Sequence, residues 1–144
     1  MKVLVDTPIW SLALRRKPHQ LNATQQRLVE ELAELIRERR VALIGPVRQE
    51  VLSGIQDARA FNRLRRALRT FEDESMEMVD FEEAAKANNT CRSAGVAASP
   101  IDLLICAVAD RLGLAIFTTD ADFQRYAKHL LVRLHEPRER KTQT

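Results

Sequence analysis

The sequence predicts an α/β fold with a mostly parallel sheet that is covered by helices on both faces. Short apolar runs, such as residues 114–118, have the length and composition of buried strands. They alternate along the chain with amphipathic stretches, the longest of which covers residues 22–39. This alternation favours a parallel sheet, because parallel neighbours need a long crossover connection that is usually a helix.

The same patterns assign the elements in order. Five segments are predicted as strands, the third and fifth from weaker patterns: residues 3–5, 41–44, 76–79, 114–118 and 130–134. Helices are predicted from residue 7, over 22–39, after 45–46, over 57–71, 81–92 and 100–113, and from 120. Thr7 followed by Pro8 is typical of an N-cap and the first helical position, and Ser99 followed by Pro100 repeats the signal.

Length and composition indicate one globular domain. The chain has 144 residues, 45% of them apolar, and we expect a single domain over residues 1–135 with a polar, disordered tail over 136–144. The longest apolar stretch, residues 103–109, is too short to cross a bilayer, and Asp6 interrupts any apolar leader. We therefore expect a soluble, cytoplasmic protein without membrane contact, in which both cysteines are free thiols.

The charge pattern is compatible with a nucleic-acid partner. Of the 23 basic residues, 18 are Arg, and the net charge is +3. Arg binds phosphate through a planar set of donors. The pattern is equally compatible with a GC-rich genome, because most Arg codons are rich in G and C. Composition alone therefore does not decide the partner.

Four acids lie at the ends of predicted elements. Asp6 and Asp120 follow strands, Asp102 begins an apolar helix, and Glu50 lies on a short helix. In open α/β sheets, the carboxyl ends of the strands and the starts of the next helices line the ligand crevice. Acids gathered there repel one another unless a cation lies between them, and Mg²⁺ or Mn²⁺ prefers oxygen ligands. The pattern therefore indicates a metal site and phosphate chemistry.

Most of these acids also have a purely structural explanation. Asp6 could cap the helix that follows it, and Asp102 could complete a capping box with Ser99. Asp120 and Asp122 could be ordinary first-turn acids, which the helix dipole favours. Only the arrangement of these acids together, at matching ends of alternating elements, indicates a metal site.

Glu50 is harder to explain in this way. With Val47 and Val51 it follows the spacing of one helical face, which predicts a carboxylate beside buried valines. A buried charge needs a partner, which could be Arg48, another Arg, or a metal ion shared with the aspartates.

Four motifs occur in order along almost the whole chain: VDTPIW at residues 5–10, QEVLSG at 49–54, DLLICA at 102–107 and TTDADF at 118–123. Together they resemble the PIN domain family, and most of all its VapC-type toxins of toxin–antitoxin pairs. The resemblance implies a three-layer α/β/α sandwich and a ribonuclease that depends on Mg²⁺ or Mn²⁺. It also implies RNA as substrate, a cognate antitoxin as partner and a homodimer.

The resemblance also implies roles for individual residues. The catalytic and metal-ligand positions are Asp6, Glu50, Asp102 and Asp120. Asp122 matches an acid that accompanies them, and two hydroxyls near the metal are those of Thr7 and Thr118. We expect Asp6 and Asp102 to bind the metal directly. Glu50 could bind the metal or orient the attacking water, and Asp120 and Asp122 could act through metal-bound water molecules.

Other functions stay open at this point. A carboxylate-based phosphatase or a receiver domain would need a Lys near the metal site, and no Lys lies at a strand end in the right place. A PIN ribonuclease for housekeeping RNA maturation, or a non-catalytic RNA-binding or adaptor module on the same fold, remains an alternative to the toxin. The neighbouring gene would separate these, since a toxin should follow a small antitoxin gene.

The predicted helix over residues 57–71 carries a basic face. Arg59, Arg63 and Arg66 share it, and it could be a solvated surface or an RNA-binding one. In the proteins that this chain resembles, the helices after the second strand often hold the antitoxin. Three apolar residues after the helix could contribute to an interface: Met76, Met78 and Phe81.

Overall fold

Three short parallel strands form the centre of the structure, a computed structural model that describes residues 1–139. They are β1 (Val3–Val5), β2 (Val41–Ala42) and β3 (Ala115–Phe117), in the order β2-β1-β3. Val3 pairs with both Val41 and Ala115, so β1 lies in the middle. Single parallel bridges extend the sheet at both edges, from Leu43 to Asp73 and from Ile116 to Leu134.

Helices flank this sheet in a three-layer α/β/α sandwich, which confirms the predicted fold class. In chain order they are α1 (Thr7–Arg15), α2 (Ala23–Arg37), α3 (Gly45–Leu52), α4 (Ala58–Leu68), α5 (Met78–Ser93), α6 (Pro100–Leu112) and α7 (Asp122–Tyr126). No helix in the described part of the chain is long and apolar enough to span a membrane.

The core is built mainly by helices, because the strands are only two or three residues long. All three residues of β1 are buried. Helix α6 contributes several buried residues, among them Leu103, Ile105 and Val108, as its run of apolar residues predicts. The first turn of α6 therefore lies at the edge of the core.

Capping residues fix where the helices begin and end. The Ser99 hydroxyl accepts a hydrogen bond from the backbone N–H of Asp102 at 3.1 Å, and Gly113 ends α6 with a φ of 68°, which glycine adopts without strain. At α1 the sequence left two candidates for the cap, Asp6 and Thr7. Asp6 is the N-cap, and Thr7 is already the first helical residue.

Two predicted strands differ in the structure. The strand over residues 76–79 was wrong, since Met78 and Val79 begin α5 and the parallel bridge occurs earlier, at Asp73. Met78 is 80% exposed, so the apolar alternation there does not mark a buried face. The strand over residues 130–134 is reduced to the bridge at Leu134, where only one residue pairs.

The chain stays packed beyond residue 135, where the polar tail was predicted to start. Glu31 on α2 is 5% exposed and binds His135 Nε2 at 3.0 Å and Arg138 Nε at 2.9 Å. Burial alone would raise the pKa of Glu31, but the bonds from His135 and Arg138 outweigh it and lower this pKa. Arg138 also donates to both carboxylate oxygens of Glu38. The rest of the predicted tail, residues 140–144, lies outside the described residues.

Candidate functional site

Asp6 connects the end of β1 to the end of β3. Its backbone N–H donates to the Phe117 carbonyl at 2.9 Å. One carboxylate oxygen accepts from the Thr7 N–H at 2.8 Å, and the other accepts from the Thr118 hydroxyl at 2.8 Å. Asp6 therefore caps α1 and faces the neighbouring strand end at the same time, so the capping explanation is confirmed and its role in a metal site stays a prediction.

Thr118 joins Asp6 to the turn between β3 and α7. Its hydroxyl also accepts a hydrogen bond from the Asp120 N–H at 3.0 Å. The Asp120 carboxylate in turn accepts from the Asp122 N–H at 2.9 Å. These bonds fix the turn that carries the last two acids.

Asp102 enters the site from the first turn of α6. Its Oδ2 accepts a hydrogen bond from the Tyr126 phenol at 2.8 Å. Within residues 1–139 its carboxylate makes no reciprocal bond to the Ser99 backbone, so the predicted capping box is only half formed. The carboxylate thus accepts a bond from α7, while the Ser99 side chain at its own helix start also acts to lower its pKa.

Three carboxylates converge at this point. Asp102, Asp120 and Asp122 each place one oxygen within 4.8 Å of the other two, and all three side chains are half-buried. We call these three residues the acid cluster. Asp6 lies beside the cluster, joined to it through Thr118 and the Asp120 backbone.

The electrostatics of Asp6 reflect this crowding. Asp6 is only 3% exposed, and its burial raises its pKa to about 6. The bonds from Thr118 and Thr7 oppose the shift, while the charges of Asp102 and Glu50 add to it. Like charges held close together disfavour ionisation, so a cation would relieve the site.

Asp102 is perturbed in the same direction. Burial raises its pKa, the Tyr126 bond opposes the rise, and the charges of Asp120 and Glu50 reinforce it. Two acids from opposite ends of the chain thus have raised pKa values for the same reasons. Such shifts in a group of converging residues are typical of functional sites.

Thr7 provides an independent indication that a group binds here. Its Oγ1 is buried and has no hydrogen-bond partner among the described residues. Leaving a buried hydroxyl unpaired costs about 1–3 kcal/mol, which a bound ion with its water could offset. Carboxylate and hydroxyl oxygens are the ligands that a hard divalent cation prefers, so the residues present fit Mg²⁺ or Mn²⁺.

Comparison with known proteins identifies the family. The family model described as the PIN domain matches residues 3–129, which include every acid discussed above. The chain belongs to the PIN domain family. The resemblance predicted from the four sequence motifs is thereby confirmed.

The relatives of this PIN domain include named ribonucleases. It is 31% identical over 128 residues to the VapC ribonuclease Mb1587 of Mycobacterium bovis, covering 88% of this chain and 92% of the relative. Ribonuclease VapC11 of Mycobacterium tuberculosis matches with the same identity and coverage.

Solved structures share the fold of this PIN domain. FitAcB from Neisseria gonorrhoeae has a TM-score of 0.73 at 23% identity, with 94% of this chain and 97% of that chain covered. VapBC2 from Rickettsia felis, bound to a DNA fragment from its promoter, has a TM-score of 0.72 at 17% identity, with coverage of 94% and 98%. At these identities the likeness shows the fold alone.

The predicted environment of Glu50 was wrong in this PIN domain. Val47 and Val51 are buried, but Glu50 is exposed on the flank of α3. Arg48 is not its partner, since Arg48 Nε donates to Asp73 at 3.0 Å. An apolar stripe of two valines, four residues apart, is too narrow to bury the residue beside it. The charge of Glu50 nevertheless acts on the two perturbed aspartates.

The basic face lies on α4, as predicted. Arg59, Arg63 and Arg66 are exposed, while Leu64 and Leu68 on the opposite side are buried. Within residues 1–139, no hydrogen bond or ion pair joins these three Arg side chains to the acids of the site. Their role as an RNA surface stays a prediction.

Tyr126 is the site residue that sequence reasoning missed. An aromatic residue at the end of a short helix is typical of the core, and Tyr126 is indeed 1% exposed. The signal that could have found it is the hydroxyl, because a buried Tyr usually needs a hydrogen-bond partner where Phe would need none. That partner, Asp102, precedes it by 24 residues and is invisible to local patterns.

Proposed function

We propose that this PIN domain is a divalent-metal-dependent ribonuclease that acts as the toxin of a toxin–antitoxin pair. The observation that carries the proposal is the acid cluster, whose carboxylate oxygens converge to within 4.8 Å beside the buried Asp6. Such a cluster suits phosphate chemistry, because a metal ion there can bind both carboxylates and a phosphodiester. The names of the relatives, VapC ribonucleases, support RNA as the substrate and the toxin as the role.

The proposed metal ligands are Asp102, Asp120 and Asp122, with Asp6 beside them. When bound, Mg²⁺ or Mn²⁺ would offset the charge of the acids and the phosphate and lower the pKa of a water molecule. The chain itself supplies orientation. Thr118 holds Asp6 and the Asp120 turn in one geometry, and Asp6 is fixed through both of its oxygens.

Glu50 has a different proposed role. Its exposed carboxylate lies close enough to Asp6 and Asp102 to raise the pKa of both. From that position it can accept a hydrogen bond from the attacking water and orient it toward the phosphate. We therefore propose Glu50 as the water-orienting group and Asp6, Asp102 and Asp120 as the groups closest to the phosphate.

Cleavage of RNA by the purified protein tests the activity. Total cellular RNA is incubated with wild type in Mg²⁺, in Mn²⁺ and in EDTA, and with Asp6→Asn and Asp102→Asn. We expect cleavage in the presence of metal and a loss of cleavage rate on the order of 100-fold or more in each variant. Even residues that only hold a metal ligand in place contribute about 10–100-fold to metal affinity or activity. Asp110→Asn is the matched control, because Asp110 is an exposed acid on the same helix as Asp102. Cleavage that persists in EDTA, or in both site variants, would contradict the proposal.

Growth on induction tests the cellular role. Induced wild type should arrest growth, Asp102→Asn should not, and co-expression of the adjacent small gene should restore growth. Normal growth with abundant soluble wild type would favour the RNA maturation enzyme or the adaptor module instead.

We also propose a homodimer that uses the surface of α5. Met78 is 80% exposed and Phe81, three residues further along the helix, is 54% exposed, so the two can form one apolar patch. Phe81 borders an apolar groove of about 350 Å³ between α5 and α6, which is also lined by Leu103 and Leu104. Light scattering should show a dimer for wild type and a monomer for Phe81→Glu. Leu131→Glu, at a residue that is 66% exposed, is the control and should stay dimeric.

A further inference from the structure

A second cavity, of about 240 Å³, opens next to the acid cluster on the side of β3 that faces Leu134. Asp120 belongs to both features: it lines this cavity and it contributes an oxygen to the acid cluster. The cavity and the acid cluster therefore adjoin at Asp120.

The walls of the cavity combine apolar surface with hydrogen-bonding groups. Leu28, Leu134 and Pro137 provide apolar surface, and Thr119 and Gln124 provide a hydroxyl and an amide. A carboxamide both donates and accepts hydrogen bonds, so it can pair with the edge of a planar heterocycle. The cavity thus suits a flat group that has apolar faces and polar edges.

The charge of the cavity excludes an anionic ligand. Asp120 and Glu136 line it, and no Lys or Arg does so among the described residues. The imidazole of His135 also lines it but is already bonded to Glu31 at 3.0 Å. A phosphate would be repelled here, whereas an uncharged group would not.

The wall formed by residues 134–137 is fixed from both ends. On one side Leu134 pairs with β3, and on the other Arg138 binds the buried Glu31 through its backbone N–H at 3.2 Å and its Nε at 2.9 Å. The cavity is therefore formed before any ligand arrives, which reduces the ordering cost of binding.

We propose that this cavity binds the nucleobase adjacent to the scissile phosphate and so sets the base preference of RNA cleavage. The inference rests on the proposed ribonuclease function. With the phosphate at the acid cluster, the adjoining base is the nearest neutral, planar group, and single-stranded RNA is commonly read by splayed bases that bind such pockets. Gln124 is the specificity-determining residue, because its side chain lines the cavity, is exposed, and makes no hydrogen bond to another described residue.

Cleavage of a randomised RNA tests the base pocket. The ends of the fragments are sequenced for wild type, Gln124→Ala and Gln56→Ala, where Gln56 is an exposed glutamine outside the cavity. Wild type should prefer one base next to the cut by roughly 10-fold, since a site built to pair with a polar edge discriminates against bases that lack it. Gln124→Ala should flatten this preference at that position only, and Gln56→Ala should retain it. Identical preferences in all three proteins would overturn the proposal and leave the ribonuclease activity intact.

A binding measurement separates this inference from the proposed function. Uncharged ribonucleosides are titrated into the protein in EDTA while the side-chain amide signal of Gln124 is followed by NMR. One nucleoside should shift this signal in wild type and in Asp102→Asn, and none should bind Gln124→Trp, in which the indole fills the cavity. Mn²⁺ titration of Gln124→Trp checks that the acid cluster is unaffected. If wild type cleaves no RNA, the proposed function fails together with the base preference of cleavage, and the Gln124 signal alone decides whether the cavity binds a nucleobase.

Discussion

The phenol of Tyr126 donates a hydrogen bond to Oδ2 of Asp102 at 2.8 Å, from the last turn of α7 to the first turn of α6. Burial, together with the bond to Asp102 and its charge, raises the pKa of Tyr126, so the phenol stays protonated and keeps donating. The carboxylate of Asp102 is thereby held in place within the acid cluster. The relationship makes Tyr126 a positioning residue.

Tyr126→Phe should therefore weaken metal binding while the fold is retained. Partners that orient a metal ligand typically contribute about 10–100-fold to affinity, and we expect a loss of that order in Mn²⁺ titration calorimetry. The loss of one hydrogen bond to a charged group should also lower the free energy of unfolding by about 1.5–3 kcal/mol in EDTA.

A control separates positioning from general destabilisation. Asn22→Ala removes the cap of α2, far from the site, and should cost about 1 kcal/mol of stability without changing Mn²⁺ affinity. Equal affinities in Tyr126→Phe and wild type would show that Asp102 needs no external orientation.

Asp6 should make the metal-free protein less stable as the pH rises. Its pKa is about 6 in the folded state against a usual 3.8, so the folded state binds the proton more tightly than the unfolded state. The contribution of Asp6 to the free energy of unfolding should then be greatest below pH 4. It should fall between pH 4 and 6 by at most about 3 kcal/mol. Asp6→Asn should remove this part of the fall, because an amide does not titrate.

Urea unfolding in EDTA across this pH range measures the effect. Asp110→Asn, at an exposed acid, should leave the wild-type slope unchanged. Saturating Mg²⁺ should stabilise wild type above pH 6 more than Asp6→Asn, since the ion offsets a charge that only wild type carries. A wild-type slope that survives Asp6→Asn would mean that Asp6 is not the titrating group.

The Arg face on α4 can be tested by its salt dependence. If Arg59, Arg63 and Arg66 contact phosphates, changing all three to Gln should weaken RNA binding for every sequence. The slope of log K against log salt should flatten by about 0.7 for each lost contact with a single strand. Cleavage at saturating RNA should change little, since these residues would position substrate away from the reacting phosphate.

Two other results for the Arg face have distinct meanings. A matched triple variant changes three exposed arginines elsewhere to Gln: Arg15, Arg16 and Arg92. If both triple variants bind like wild type, the face is only solvated. If the α4 variant cleaves RNA normally but escapes neutralisation by the antitoxin, the face belongs to the antitoxin interface.

The ion pair between Asp80 and Arg111 should be a main determinant of stability. Asp80 is 1% exposed and accepts two bonds from Arg111, at 2.8 and 2.9 Å, which join α5 to α6. Arg111 holds the pKa of Asp80 below its usual range. Asp80→Ala should lower the free energy of unfolding by about 1.5–3 kcal/mol, the usual contribution of a hydrogen bond to a charged group, because the Arg111 left behind is exposed and keeps its ion pair with Glu77. Urea unfolding checks this, with the exposed pair of Glu34 and Arg37 on α2 expected to contribute less than about 1 kcal/mol.

The positions of the site acids could be predicted from the sequence, because each acid follows or begins a strand or helix that a local pattern of apolar residues indicates. Asp6 and Asp120 could be located from the apolar runs that precede them, and Asp102 from the apolar helix that follows it. The exposure of Glu50 could not be predicted. A residue beside an apolar stripe can be buried or exposed, depending on one turn of the helix. The bond from Tyr126 to Asp102 could not be predicted either, since it depends on how α7 packs on α6. Val79 was assigned to a strand because alternating apolar residues that are exposed give the same sequence pattern as a half-buried strand.

The bond between Thr118 and Asp6 spans 112 residues of chain. A ribosome must therefore add all of these residues before the two halves of the site can meet. Until then, a nascent chain carries Asp6 and Glu50 but not the strand end that completes their surroundings. For a ribonuclease of the kind proposed, a nascent chain that ends before Thr118 could not attack any RNA, including the message from which it is being read.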